Sequence, residues 1–192
     1  MSSPSQPVRD QILLTTCDLL ENQGFHATGL NEIVRESGAP KGSIYYYFPA
    51  GKEEIVSEAV KFAGQRVAER VQAQLAGIED PAEAIRSFVE TIAHHVEASG
   101  FRAGGPLTIV ASESATTSER INQTCREAYA MLRNGFAEKL RVSGMDNEKS
   151  EQMAWMITSA IEGGIILSRT YHSGDPLREV AALLFCLIRD CN

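Results

Sequence analysis

Apolar residues recur at the three- and four-residue spacing of an α-helix along most of this 192-residue chain, and no persuasive strand alternation interrupts them. Glycine and proline divide the pattern into segments. Val8, Ile12, Leu13, Thr16, Leu19 and Leu20 share one helical face, which Gly24 is expected to end. Thr28 is placed to cap a short second helix carrying Leu30, Ile33 and Val34, with Gly38 closing it. Pro40 suits the first turn of a third helix running from Lys41 through Phe48, because its missing N–H costs nothing there. Pro49, Ala50 and Gly51 break that helix, and a long fourth begins near Lys52 and reaches about Leu75. Pro81 opens a fifth, with Ala84, Ile85, Phe88, Ile92 and Val96 on one face. Gly100 to Pro106, with three glycines, reads as a loop. A short apolar segment from Leu107 to Ala115 follows, then helices from Ser118 to about Val142, Glu148 to Ser168 and Pro176 to about Asp190. The expectation is an all-α chain of nine helices, with no repeat and a domain boundary inside the long fourth helix.

Composition narrows the function. A hydrophobic fraction of 43% sustains real cores and argues against disorder. A formal charge of -7 argues against a protein that merely coats nucleic acid. No run approaches the roughly 20 apolar residues that cross a bilayer, and no basic-then-apolar start resembles a secretory signal, so a cytoplasmic protein without membrane contact is expected. Cys17, Cys125, Cys186 and Cys191 form no Cys-x-x-Cys pair and no metal-type spacing with histidine, so reduced thiols, no metal and no cofactor are expected. His94 and His95 are adjacent and diverge by about 100° on a helix, too far to share one metal. His-Glu-x-x-His, Gly-x-Ser-x-Gly, P-loop and Gly-x-Gly-x-x-Gly patterns are all missing, which argues against an enzyme.

Thr28 to Lys52 is the informative stretch. Two short helices joined by a glycine-containing turn can hold the second in a major groove. At 100° per residue, Ile44 and Phe48 share an inward face, while Gly42, Ser43 and Tyr46 point outward with Lys41, Tyr45 and Tyr47 on the flanks. Three consecutive tyrosines span about 200° of a helix and cannot all face one core. Tyrosine hydroxyls donate to phosphates and their rings touch thymine methyls. Gly42 lets the helix approach base edges closely, and Lys52 opens the next helix where a phosphate would sit. The candidate DNA contacts are Thr28, Lys41, Gly42, Ser43, Tyr45, Tyr46, Tyr47 and Lys52. Against them stands local charge: residues 1–60 hold four cations (Arg9, Arg35, Lys41, Lys52) and eight carboxylates, a balance of -4.

The run Gly24-Phe25-His26-Ala27-Thr28-Gly29-Leu30-Asn31-Glu32-Ile33, followed by Gly38-Ala39-Pro40-Lys41-Gly42-Ser43-Ile44-Tyr45-Tyr46-Tyr47-Phe48 and Lys52-Glu53-Glu54, resembles the DNA-binding domain of TetR-family repressors. The strong likeness covers about residues 8–56. It implies a homodimer of nine-helix subunits, a three-helix module in residues 1–52 that binds double-stranded operator DNA, and a helical effector-binding and dimerisation domain in residues 53–192. Pro40 stands where many members carry serine, and the link from Phe48 to Lys52 is one residue longer than the commonest form. Both features are similar to a drug- and flavonoid-responsive branch named for LmrA and YxaF.

In the body, Phe62, Phe88, Phe101, Tyr129, Phe136 and Trp155 are core candidates, some of them expected to line a cavity for an apolar or aromatic effector. His95, Glu113 and Glu162 are the polar groups expected to orient it. Gly163-Gly164 inside a helix points to close helix contact, a bend or room for a ligand. For a dimer interface, Ile157, Ile161, Ile165 and Leu167 join Val180, Leu183, Leu184 and Leu187 on the last two helices. The expected function is a ligand-responsive repressor released from its operator by a small molecule. The alternative is a helical protein–protein adaptor that has lost DNA binding, which the acidic N-terminal balance favours.

Overall fold

A computed structural model describes residues 6–191, and among the described residues there are nine helices and no strand. They are α1 Gln6–Ala27, α2 Leu30–Ser37, α3 Lys41–Tyr47, α4 Lys52–Ala76, α5 Pro81–Ala98, α6 Pro106–Ser114, α7 Glu119–Val142, α8 Asn147–Tyr171 and α9 Asp175–Cys191. Local chemistry accounts for many of the ends. Gly38 adopts the left-handed conformation (φ 63°) that closes α2. Asp80 and Asp146 cap α5 and α8, their carboxylates accepting the N–H groups of Ala82 at 2.9 Å and Lys149 at 3.0 Å. Such caps contribute about 1 kcal/mol each.

Two details depart from expectation. Gly24 does not end α1 but breaks it (φ 79°, ψ -178°), and a further turn runs on to Ala27. Thr28 does not cap α2: the cap position belongs to Gly29, because the Thr28 hydroxyl is buried and donates to the Gly24 carbonyl at 2.6 Å.

The helices fall into two units. One holds the residues up to Gly64 together with Gly105–Ala128; the other holds Gln65–Gly104 with the residues from Tyr129 onward. The first unit thus contains α1, α2, α3, α6 and the leading parts of α4 and α7. It buries Ile12, Leu13 and Leu20 of α1, Ile33 of α2, Ile44 of α3, Phe48, and Ile55 and Val56 of α4. Each such side chain contributes about 1.5–3 kcal/mol by leaving water. Within this unit α1 lies against α6, α2 and α3.

The second unit is organised on α5, which packs against α9 and α8. Ile85, Phe88, Val89 and Val96 meet Phe136, Leu140, Ile157, Ile161, Leu177, Leu184 and Ile188 in one core. The helix glycines are explained in part. A Cβ on Gly164 would lie 2.8 Å from the Leu177 side chain, so close α8–α9 contact requires glycine there, whereas Gly163 has nothing within 4 Å. Beside this contact Glu97 accepts the Gly174 N–H at 3.1 Å and the Arg178 guanidinium at 2.5 Å.

This core corrects the expected interface. Ile157, Ile161, Ile165 and Leu184 are all buried inside their own subunit. Helix α8 carries apolar residues on more than one face, and these point inward. The aliphatic side chains that α8 and α9 leave in solvent are Met156, Ile166, Leu167, Leu183 and Leu187, with Val180 half-buried; Trp155 and Tyr171 of α8 are exposed too. No helix among the described residues is long and apolar enough to cross a membrane.

A candidate nucleic-acid interface

Helix α3 is held by its apolar edge. Ile44 is fully buried and Phe48, just after the helix, is 1% exposed; the Phe48 N–H donates to the Ile44 carbonyl at 2.8 Å and ends the helix. With those two side chains fixed inward, the α-helical period turns the others out. Tyr46 is 78% exposed and Tyr45 50% exposed. Lys41 and Gly42 are exposed, and Ser43 and Tyr47 half-buried. The Tyr47 ring meets Tyr46 edge-on at 5.0 Å and Phe48 at 6.3 Å, linking the outer rings to the core. A Cβ on Gly42 would meet nothing within 4 Å, so the backbone there is open to a close-approaching surface.

Of the eight candidate contacts, six therefore share the solvent-facing part of α3. The two outside it behave differently. Thr28 is fully buried with its hydroxyl committed to Gly24, so it cannot reach DNA. Lys52 folds over the Phe25 ring, its Nζ 4.3 Å from the centroid. Burial lowers the pKa of Lys52, and the negative charge of Glu113 works in the opposite direction. The nearby backbone is stabilised by an acid rather than a base: Glu54 accepts the Ala50 N–H at 2.8 Å at the start of α4 and also faces Arg120 at 3.5 Å. Exposed tyrosine rings and hydroxyls with few cations have the chemistry to contact groove atoms more than to attract phosphate charge.

The residues expected around an effector do not converge. Phe88 and Phe136 meet edge to face in the core, 5.6 Å apart at 68°, with almost no free surface. Trp155 lies in solvent under the Arg133 guanidinium at 4.3 Å, and His95 is exposed, so neither lines a closed cavity. Glu113 is committed to backbone, accepting the N–H groups of Phe25 and His26. Phe101 stacks on His172 at 5.4 Å. Phe62, Tyr129 and Glu162 are half-buried. The second unit does carry a groove of about 1650 Å³ between α4 and α7, lined by residues such as Gln72, Leu75, Met131, Gly135, Glu138 and Val142, and none of the expected effector residues lines it. Burial pushes the Cys125 thiol up to about 11, while Cys186 on α9 is exposed.

A helix-turn-helix whose second helix turns tyrosines outward defines a DNA-binding transcriptional regulator, and comparison with known proteins gives the same class. Residues 12–59 match the family described as bacterial regulatory proteins of the tetR family, and residues 81–183 match the C-terminal domain of LmrA/YxaF-like transcriptional regulators. The chain belongs to the TetR family of transcriptional regulators. It is 41% identical over 181 residues to the HTH-type regulator YxaF of Bacillus subtilis, covering 94% of this chain and 95% of that one. Identity to LmrA of the same organism is 34% over 181 residues, covering 94% and 96%. Among solved structures, a TetR-family regulator from Cytophaga hutchinsonii superimposes with a TM-score of 0.85 at 20% identity, over 100% of this chain and 98% of that chain. These families and relatives are transcriptional regulators, not enzymes.

The sequence reading missed the role of Glu113. Its partners lie 88 and 87 residues away, and no local pattern marks such a pairing.

Proposed function

We propose that this chain is a ligand-responsive repressor that binds operator DNA as a homodimer and is released by a small apolar or aromatic effector. Residues 1–52 read the DNA and residues 53–192 bind the effector and the partner subunit. The observation that carries the reading is the exposure of Tyr45 and Tyr46 on a helix whose Ile44 is fully buried. Large rings held in water by a fixed helix suit a groove partner, and Lys41, Gly42, Ser43 and Tyr47 complete that face.

Dimerisation is supported by the aliphatic strip that α8 and α9 leave in solvent. Met156, Gly163 and Leu167 follow one helical line, and Gly163 leaves open space where a partner helix can approach. Leu183 and Leu187 form the matching line on α9. For the effector, Phe101, Tyr129 and Glu162 of the second unit combine half-buried aromatic surface with one carboxylate. Binding that favours a state with wrongly spaced reading helices would lower operator affinity by linkage.

A mobility-shift assay on the duplex directly upstream of the gene tests this reading. Wild-type protein should shift that duplex at low salt, and Tyr46→Ala should not at the concentration that just suffices for wild type. The acidic balance of residues 1–60 favours the second reading, an adaptor without DNA binding. No shift of any upstream sequence by the wild-type protein would favour it.

A further inference from the structure

We infer that Glu113 is a positioning residue for the DNA-reading helices: from α6, its carboxylate holds the broken end of α1 in the geometry that leads into α2 and α3. The inference rests on the reading of α3 proposed above. It starts from backbone chemistry. Gly24 leaves the helical path, so the turn that follows begins like a new helix, with leading N–H groups that lack an acceptor in the preceding turn. Two of these, on Phe25 and His26, donate to the same Glu113 oxygen, Oε2, at 2.6 and 3.1 Å. Glu113 thus acts as a helix cap supplied from 88 residues away. An ionised acceptor makes such bonds about twice as strong as neutral ones.

The surrounding contacts fix the same peptide from other sides. The Thr28 hydroxyl donates to the Gly24 carbonyl at 2.6 Å, so the segment from Gly24 to Thr28 is held through both its N–H and its C=O groups immediately before α2. Helix α6 closes directly on the glycine: a Cβ there would lie 2.6 and 2.9 Å from the Glu113 oxygens and 2.9 Å from Ile109. The start of α6 is tied to α1 as well, with the Gly105 N–H donating to Glu21 at 2.6 Å. Phe25 is buried beneath Lys52, the first residue of α4. One carboxylate therefore sets the exit of α1 where the chain turns toward the reading helices. This use of the side chain replaces the effector contact expected from the sequence.

Full-length Glu113→Ala and Glu113→Gln, compared with wild type, test the assignment by amide hydrogen exchange and by binding to the upstream duplex. In Glu113→Ala, exchange at Phe25 and His26 should rise about tenfold, the amount expected for losing a charge-assisted cap. Duplex affinity should fall by about the same factor, while the slope of log affinity against log salt stays unchanged, because no phosphate contact is lost. Glu113→Gln keeps an acceptor of the same shape and should recover part of both effects; it also carries the comparison if the alanine variant folds poorly. Wild-type protection of the two amides in Glu113→Ala would overturn the clamp. Faster exchange with undiminished DNA affinity would overturn its positioning role, provided Tyr46→Ala in the same assay loses the duplex. If Tyr46→Ala binds like wild type, the reading of α3 fails and the positioning role falls with it.

Discussion

Helix α3 and the α8–α9 pair both leave large side chains in water, yet the chemistry they expose differs. On α3 the exposed residues are tyrosines flanked by lysine, glycine and serine, each ring ending in a hydroxyl. On α8 and α9 an aliphatic strip of Met156, Ile166, Leu167, Leu183 and Leu187 carries no polar side-chain atom beyond a thioether sulfur, although Trp155 and Tyr171 of α8 are exposed as well. An aliphatic strip gains only by excluding water against another apolar surface, so it asks for protein. A ring with a polar tip keeps a hydrogen bond while its face makes contact, which suits a wet, hydrogen-bonding groove. Exposure alone does not separate these two functions; what the exposed atoms can bond to does.

The largest effect should come from charging the aliphatic strip. Leu183→Asp with Leu187→Asp would place four carboxylates around the proposed two-fold axis, and sedimentation at one concentration should show wild type as a dimer and this variant as a monomer. Because Leu183 is 67% exposed, the subunit's own stability should change by only about 0.5 kcal/mol for that substitution. Its neighbour Leu184 is 3% exposed and should behave in the opposite way. Leu184→Ala should cost about 2–5 kcal/mol in urea unfolding and leave assembly intact wherever the subunit is folded. A dimer that survives both aspartates would dissolve the contrast between the two surfaces.

On α3, Tyr46→Ala should weaken duplex binding by about 1–3 kcal/mol, roughly 5- to 150-fold, with unaltered circular dichroism. Fluorescence anisotropy on the upstream duplex measures it. The smallest effect concerns Glu97, where the Arg178 guanidinium, ahead of the Gly174 N–H, holds the carboxyl below its usual value of 4.5. A depressed carboxylate contributes stability above its unfolded pKa and loses it as pH falls through the folded one. The stability gap between wild type and Glu97→Gln should thus be full above about pH 4.5 and close at more acid pH, read from thermal unfolding along a pH series. Duplex affinity near neutral pH should not change.

The helices were legible because helical period and glycine or proline punctuation act locally: Gly38, Pro81 and Pro106 stand at helix ends as their chemistry requires. The outward turn of Tyr46 was legible for the same reason, since Ile44 and Phe48 could share only one face. Legibility stopped where a residue has two lawful uses. Thr28 is a good cap by type, yet its hydroxyl reaches back four residues to a carbonyl freed by the Gly24 break. Ile157 and Met156 are adjacent apolar residues of one helix, and only the packing of α9 and α5 decides that Ile157 is buried and Met156 is not. Glu113 was out of reach altogether, because its partners are backbone groups from a distant part of the chain.

Hydroxyl-radical footprinting of the full-length protein on its upstream duplex tests both surfaces together. Two tyrosine helices carried by one aliphatic interface should protect two half-sites whose centres are one helical turn, about 10 bp, or a multiple of it apart, and Tyr46→Ala should lose both at once. A single protected half-site, or protection that survives in Tyr46→Ala, would contradict the assignment of α3 to DNA.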